Sequence, residues 1–551
     1  MFCEQCEQTA SGDGCHQFGA CGKSPQVNAM QDLLVHCLRG ISAVALTAKA
    51  QGLDTHAVDV FTCEALFATM TNVNFSTARF VDYVERAIAL RESLKTQLGA
   101  RDHHWSAIAT YTPDMTGDLV EQGEAIALKF ISQVGPDAVD VFSLKLTVLY
   151  GLKGAASYAF HAYELGQEDE QIYRFIYRAL NALDDANLNL EQWVGLALEV
   201  GKINLRSMEL LDTGHTHTYG HPTPTAVPLN GQSGKAILVS GHDIRQLEAI
   251  LKQTEGKGLT VYTHGELLPA HGYPKLKATY PHLYGHYGTA WQNQTREFAK
   301  FPGAIVVTTN CLMPPHDTYS GKLFTIGPVG YPHLNYLPAD GHGIPDYAAV
   351  IEQALALPGF TEEDVAAQEV RSVNVGFAHN AVLSVADTVV NAVKNGQIRH
   401  FFLVGGCDGA KPGRTYYTEF VEKVPDDCVV LTLACGKFRF FDRHLGEVAG
   451  LPRLMDVGQC NDAYSAIQIA IALAKAFEVD VNELPLSMIL SWYEQKAVAI
   501  LLTLLHLGIK NIRLGPTLPA FISANVFKLL ADTYHLQAIT TPEQDLAACL
   551  A

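Results

Sequence analysis

The 551-residue sequence has no low-complexity tract, no dense basic segment, no long apolar run near its C-terminus and no Gly-x-Gly-x-x-Gly fingerprint. Each absence removes a class of function. Lys and Arg number 39 against 57 Asp and Glu, a formal charge of -18. Without a basic groove, no nucleic-acid partner is expected. The apolar stretch Ala497 to Ile509, "AVAILLTLLHLGI", has thirteen residues, short of the roughly 20 of a spanning helix; it reads as a core helix, and no membrane partner is expected. The N-terminal "MFCEQCEQ" has neither a basic nor an apolar leader segment, so a cytoplasmic location is the default expectation. Without the glycine fingerprint, the chain is not expected to bind its own nicotinamide or flavin.

What is present fits a large globular enzyme: 48% hydrophobic and 17% charged residues. At roughly 150 residues per domain the length predicts three or four domains. Twelve cysteines stand at positions 3, 6, 15, 21, 37, 63, 311, 407, 428, 435, 460 and 549. In a reducing compartment, metal ligation or catalysis explains so many thiols better than disulfides do.

Residues 27 to 210 read as amphipathic helices. In "FSTARFVDYVERAIALRESL", Phe80, Tyr83, Val84, Ala87 and Ile88 recur at helical spacing behind an N-cap at Ser76 or Thr77. The segment Asp212 to Lys235, rich in Gly, Pro, Thr and Asn, has the composition of a connector, with His215, His217 and His221 in a solvated linker rather than on a metal. Beyond it, short β-branched runs alternate with helical patterns, the signature of parallel sheets with crossover helices. The expected division is a helical domain over 1–222 and two α/β domains over 223–365 and 366–551.

Cys3, Cys6, Cys15 and Cys21 follow C-x2-C-x8-C-x5-C, threaded by Gly12, Gly14, Gly19 and Gly22. Such a loop holds an iron-sulfur cluster or a structural zinc, and the wide last spacing favours a cubane cluster. A second pattern is dispersed. In "HFFLVGGCDGA" an apolar run ends on Cys407, and further runs end near Cys435, Cys311, Glu494, His242 and Glu266, with a weaker instance at Cys460. Open α/β sheets bind ligands beyond the carboxyl ends of their strands, so these seven can converge. Four thiols suit an iron-sulfur framework, and an imidazole with two carboxylates suits iron carrying oxygen or an open position. That mixture points to an unsymmetrical cluster that binds substrate. Cys37, Cys63, Cys428 and Cys549 lack such placement and read as structural. Lys496 is a candidate proton donor near Glu494, although helical geometry turns residues i and i+2 apart.

Through "MFCEQC", "GCHQFGACGK", "GHD", "HGE", "TTNC", "GGCDGA", "LACGK", "DVGQCND" and "SWYEQKA", in this order and over the whole chain, the sequence resembles the hybrid cluster protein, or prismane, family. The resemblance implies a helical bundle domain followed by two Rossmann-like α/β domains with a cluster buried between them. It implies a 4Fe-4S cluster on Cys3, Cys6, Cys15 and Cys21, since the 2Fe-2S branch has the wider C-x11-C-x6-C spacing. It implies a hybrid 4Fe-2O-2S iron-sulfur-oxygen cluster on His242, Glu266, Cys311, Cys407, Cys435, Cys460 and Glu494, with Cys407 able to carry a persulfide. The implied activity is reduction of hydroxylamine to ammonia and water, with nitric oxide reduction in nitrosative stress defence as a proposed role. A separate redox protein is the implied electron donor, and His242, Glu494 and Lys496 are the candidate proton donors. The competing enzyme reading is a carbon monoxide dehydrogenase, which carries further N-terminal cysteines where this chain has four before Cys37. The alternative of another class is a cluster-bearing nitric oxide sensor or protein nitrosylase. No feature of the sequence specifies an oligomeric state.

Overall fold

The computed structural model describes residues 3–9, 12–99, 103–128 and 131–551. Met1, Phe2, Ala10 and Ser11 of the cysteine motif lie outside the described residues. The first third is helical, and its long members are Pro25–Ala50, Thr77–Leu98, Val139–Glu164 and Leu190–Tyr219. Local chemistry starts each of three of these. Ser24 accepts from the Val27 amide ahead of Pro25 at the first turn. Ser76 accepts from the Arg79 amide, and Asn189 forms a capping box with Gln192. Among the described residues, one helix, Pro25–Ala50, is long and apolar enough to cross a membrane, and 72% of its apolar window is buried inside the protein.

The structure differs from the expected connector. Helix Leu190–Tyr219 runs straight through Asp212 to Tyr219 and ends at Gly220, whose φ of 84° suits glycine. Within it the Thr213, Thr216 and Thr218 hydroxyls bond back to the carbonyls of Glu209, Asp212 and Gly214, which satisfies their donors inside the helix. His215 and Tyr219 continue the buried face. His215 is therefore a buried helical residue and not part of a solvated linker.

Two six-stranded sheets follow. The first runs in spatial order Leu283–His286, Leu259–His264, Lys235–Ser240, Ala304–Val307, Leu323–Ile326, Asn335–Leu337, all parallel. The second repeats the scheme with Leu454–Gly458, Cys428–Leu433, His400–Gly406, Leu486–Ser491, Ile512–Gly515, Gln537–Ala538, again all parallel. Counted along the chain, both have the order 3-2-1-4-5-6 of a doubly wound sheet, which leaves a crevice at the carboxyl ends of the first and fourth strands. The two units are stitched by an antiparallel ribbon of Thr225–Pro228 with Ser372–Val375.

The helical region grips the second sheet through Gln495–His506, the helix after its fourth strand. A Cβ on Gly154 would lie 2.4 Å from the Gln495 carbonyl oxygen, and one on Gly201 would lie 2.1 Å from that of Leu502. Glycine at both positions lets backbones approach where any side chain would hold them apart.

Candidate metal centres

The N-terminal loop folds around its thiols. Cys3 and Cys15 exchange backbone hydrogen bonds of 3.1 and 2.8 Å, and Gly12 and Gly14, with φ of 79° and 148°, make the turn between them. The Ala20 amide points at Cys15 Sγ at 3.4 Å, and Lys23 Nζ lies 3.8 Å from Cys3 Sγ. Burial pushes the Cys21 thiol up to about 11. Burial, followed by the neighbouring Cys21, Cys3 and Cys15 sulfurs, pushes Cys6 well above its ordinary value. Buried thiols raised in this way, as Cys6 and Cys21 are, ionise only beside a compensating cation. The loop nevertheless reaches the surface, where Phe18 is 57% exposed.

The second constellation assembles from strand ends. His242 follows the first strand of the first sheet and Cys311 the fourth, so they flank its crevice. Cys407 and Glu494 flank the crevice of the second sheet in the same way. Glu266, Cys435 and Cys460 follow neighbouring strands. The structure turns the seven toward one buried region, with short distances within two subsets. Ligand atoms of His242, Glu266 and Cys460 lie within 4.8 Å of one another, and Cys407 Sγ is 4.0 Å from Glu494 Oε1. The thiols of Cys311, Cys407 and Cys435 all rise through burial first and then through the carboxyls of Glu494 or Glu266, with neighbouring sulfurs adding at Cys407 and Cys435. Burial holds Cys460 up at about 12 against the pull of Lys496.

Each side chain is aimed by a neighbour. Thr309 Oγ1 sits 2.9 Å from His242 Nδ1, which leaves Nε2 facing Glu266 Oε2 at 3.8 Å. Glu266 Oε2 accepts the Cys460 amide at 2.8 Å, while its buried Oε1 has no partner among the described residues. Gln459 Nε2 ties the two sheets' turns together by donating to the backbone oxygens of His242 and Glu266, at 2.9 and 2.6 Å. Burial raises both carboxyls, countered by Lys437 and the Cys460 amide at Glu266 and by Lys496 at Glu494. Burial likewise holds His242 well below its ordinary value, so its imidazole is neutral and available. The set fits a metal: soft sulfurs, hard oxygens, one neutral nitrogen and an orphaned carboxylate oxygen in one buried place.

Lys496 departs from the expected geometry. Glu494 is not inside the helix but at its N-cap, in extended conformation, and its Oε2 accepts the Lys496 amide at 2.9 Å. The spacing rule for helix interiors thus does not apply. Lys496 Nζ donates to Asn310 Oδ1 at 2.8 Å, and Asn310 Nδ2 reaches Glu494 Oε1 at 3.5 Å. Sequence reasoning missed Thr309, Asn310 and Gln459, although each stands within two residues of a strand-end cysteine. It also missed Tyr158, whose hydroxyl the nearby Cys460, Glu494 and Cys407 keep from ionising after burial; a lone tyrosine in a bundle helix carries no signal.

The chain matches the Prismane/CO dehydrogenase family over residues 1–547. A hydroxylamine reductase of Rippkaea orientalis is 70% identical over 551 residues, covering 100% of both chains. One of Microcystis aeruginosa is 68% identical and one of Methanocella arvoryzae 58%, again over 100% of both chains. Among solved structures, a nickel-free carbon monoxide dehydrogenase from Thermococcus sp. AM4 aligns with TM-score 0.57 at 16% identity, over 99% of this chain and 90% of that one. Carbon monoxide dehydrogenase IV from Carboxydothermus hydrogenoformans gives TM-score 0.55 at 16% identity, over 99% and 92%. At such identity the likeness is one of fold.

Proposed function

This chain belongs to the Prismane/CO dehydrogenase family, and from that premise we propose that it reduces hydroxylamine to ammonia and water at a buried iron-sulfur-oxygen centre. The observation that carries the reading is the convergence of four thiols, two carboxyls and one imidazole at the crevices of two doubly wound sheets. Cys3, Cys6, Cys15 and Cys21 would hold a 4Fe-4S cluster near the surface, suited to receive electrons from a separate redox protein. His242, Glu266, Cys311, Cys407, Cys435, Cys460 and Glu494 would hold the hybrid 4Fe-2O-2S cluster, with Cys407 the candidate persulfide. When bound, that group supplies electrons and an iron position open to nitrogen or oxygen.

The protein's own part is positioning and protons. Cleavage of the N–O bond takes two electrons and two protons. Of His242, Glu494 and Lys496, only Lys496 stands outside the proposed ligand set, and its buried Nζ, held by Asn310 beside Glu494, would protonate the departing oxygen. A cytoplasmic setting, in which twelve free thiols stay reduced, belongs to the same proposal. The test is anaerobic loading, iron and sulfide analysis with EPR, and ammonia production from hydroxylamine with a chemical reductant. Steady turnover is expected. A fully loaded protein that makes no ammonia overturns the reading, and stoichiometric nitrosylation without turnover would mark a nitric oxide sensor instead.

A further inference from the structure

On the helical side of the candidate centre the protein closes a cavity of about 10 Å3, lined among others by Tyr158, His161, His215, His242, Asn461 and Lys496. That is the volume of about one water molecule, which also needs two to four polar partners. The partners are there. His161 Nε2, His215 Nδ1 and Asn461 Nδ2 have no hydrogen-bond partner among the described residues, and their residues are 7%, 4% and 2% exposed. Leaving such atoms unpaired costs roughly 1–3 kcal/mol each.

The wall offers both signs of hydrogen bond. His161 Nδ1 lies 3.2 Å from Glu164 Oε2. If that contact fixes the proton on Nδ1, a tautomer assigned from the hydrogen bond, Nε2 presents a lone pair. The Asn461 amide presents N–H. Burial keeps His161 near 4 and His215 near 3, so neither ring carries charge at neutral pH. Behind His161 a polar file continues outward. His161, Glu164 and Asp243 cluster within 4.8 Å, and Arg245 Nη1 lies 3.8 Å from Glu164 Oε1 while its Nη2 reaches the His342 carbonyl at the surface. A second cavity, against Cys407 and Cys460, is lined mostly by Leu, Ile and Ala.

We propose that the His161–His215–Asn461 chamber is a binding site for one water molecule, the inner station of a polar route from the centre past Glu164 to Arg245 by which the water released from hydroxylamine leaves. The water-site part rests on the chamber alone; the route's use rests on the reaction proposed above. His161 acts there as a positioning residue.

The test pairs crystallography of the loaded protein with two variants. An ordered water about 3 Å from His161 Nε2 and from His215 Nδ1 or Asn461 Nδ2 is expected; a chamber without density overturns the proposal. His161→Phe fills the space, and is expected to remove that density and lower kcat by roughly 10- to 100-fold with iron content and EPR spectrum retained. His161→Gln keeps a polar end and is expected to recover most of the rate, which also separates the effect from misfolding. Wild-type kcat in His161→Phe, or an equal loss in both variants, overturns the route. Absence of ammonia production by the wild type defeats the functional reading instead, and leaves the water density to decide the site.

Discussion

At the scale of the residue, Glu494 divides its two oxygens between structure and chemistry. Oε2 caps helix Gln495–His506 through the Lys496 amide, and Oε1 faces Cys407 and Asn310. Substitution by glutamine keeps a carbonyl oxygen for the cap and removes the charge that an iron ligand supplies. Glu494→Gln is therefore expected to fold normally, to alter the EPR spectrum of the loaded protein and to lose hydroxylamine turnover by at least roughly 10- to 100-fold. A variant with an unaltered spectrum and full turnover would leave Glu494 with the cap alone, a role worth only about 1 kcal/mol.

At the scale of the element, the placement of that helix depends on two glycines rather than on its own sequence. Gly201→Ala would drive a methyl group to 2.1 Å from the Leu502 carbonyl, so the helices must separate and Glu494 must move with them. Thermal unfolding should report a loss of roughly 1–3 kcal/mol, the usual range for overpacking, together with reduced turnover. Gly195→Ala on the same helix is the control, because nothing lies within 4 Å of the added carbon. It is expected to stabilise the helix by up to about 1 kcal/mol and leave turnover unchanged.

At the scale of the whole molecule, the first residues of the chain close on its last domain. The Glu7 amide donates to the Tyr493 carbonyl at 2.9 Å, Gln495 Nε2 donates to the Gln5 carbonyl at 2.7 Å, and Glu7 Oε2 pairs with Arg414 Nη2 at 3.0 Å. Since Cys6 adjoins Glu7 and Tyr493 adjoins Glu494, one backbone hydrogen bond separates the two candidate centres. Cys6→Ala is expected to slow turnover driven by a protein donor while the spectrum of the second centre persists; loss of both spectra together would make the loop a folding staple. Arg414 also holds Asp408 Oδ1 at 3.2 Å and is 1% exposed. Arg414→Gln leaves buried Glu7 without its cation, while Asp408 keeps Arg439 Nε at 2.8 Å from its Oδ2, so a stability loss of about 3 kcal/mol is expected in denaturant titration, with slower reduction of the second centre in stopped-flow measurements. Wild-type stability would show that Glu7 does not depend on it.

What the sequence determined by itself is what short-range patterns encode. The spacing of Cys3, Cys6, Cys15 and Cys21 lies within one loop, Ser76 caps its own helix, and each β-branched run announces a strand whose next polar residue stands at its carboxyl end, as Cys407 does after His400–Gly406. What only the tertiary structure decided is which of these ends face one another and what surrounds them. The reversal of strand order between the first and fourth strands brings His242 to Cys311 and Cys407 to Glu494 across gaps of dozens of residues in sequence. The same packing recruits Asn310, Gln459 and Tyr158, whose local sequence is silent because the groups they face lie on other elements. It also keeps Asp212 to Tyr219 helical: glycine and threonine there favour a connector by composition, but burial of His215 and Tyr219 against the first α/β unit outweighs that local preference, and burial is a property of contacts far apart in the chain.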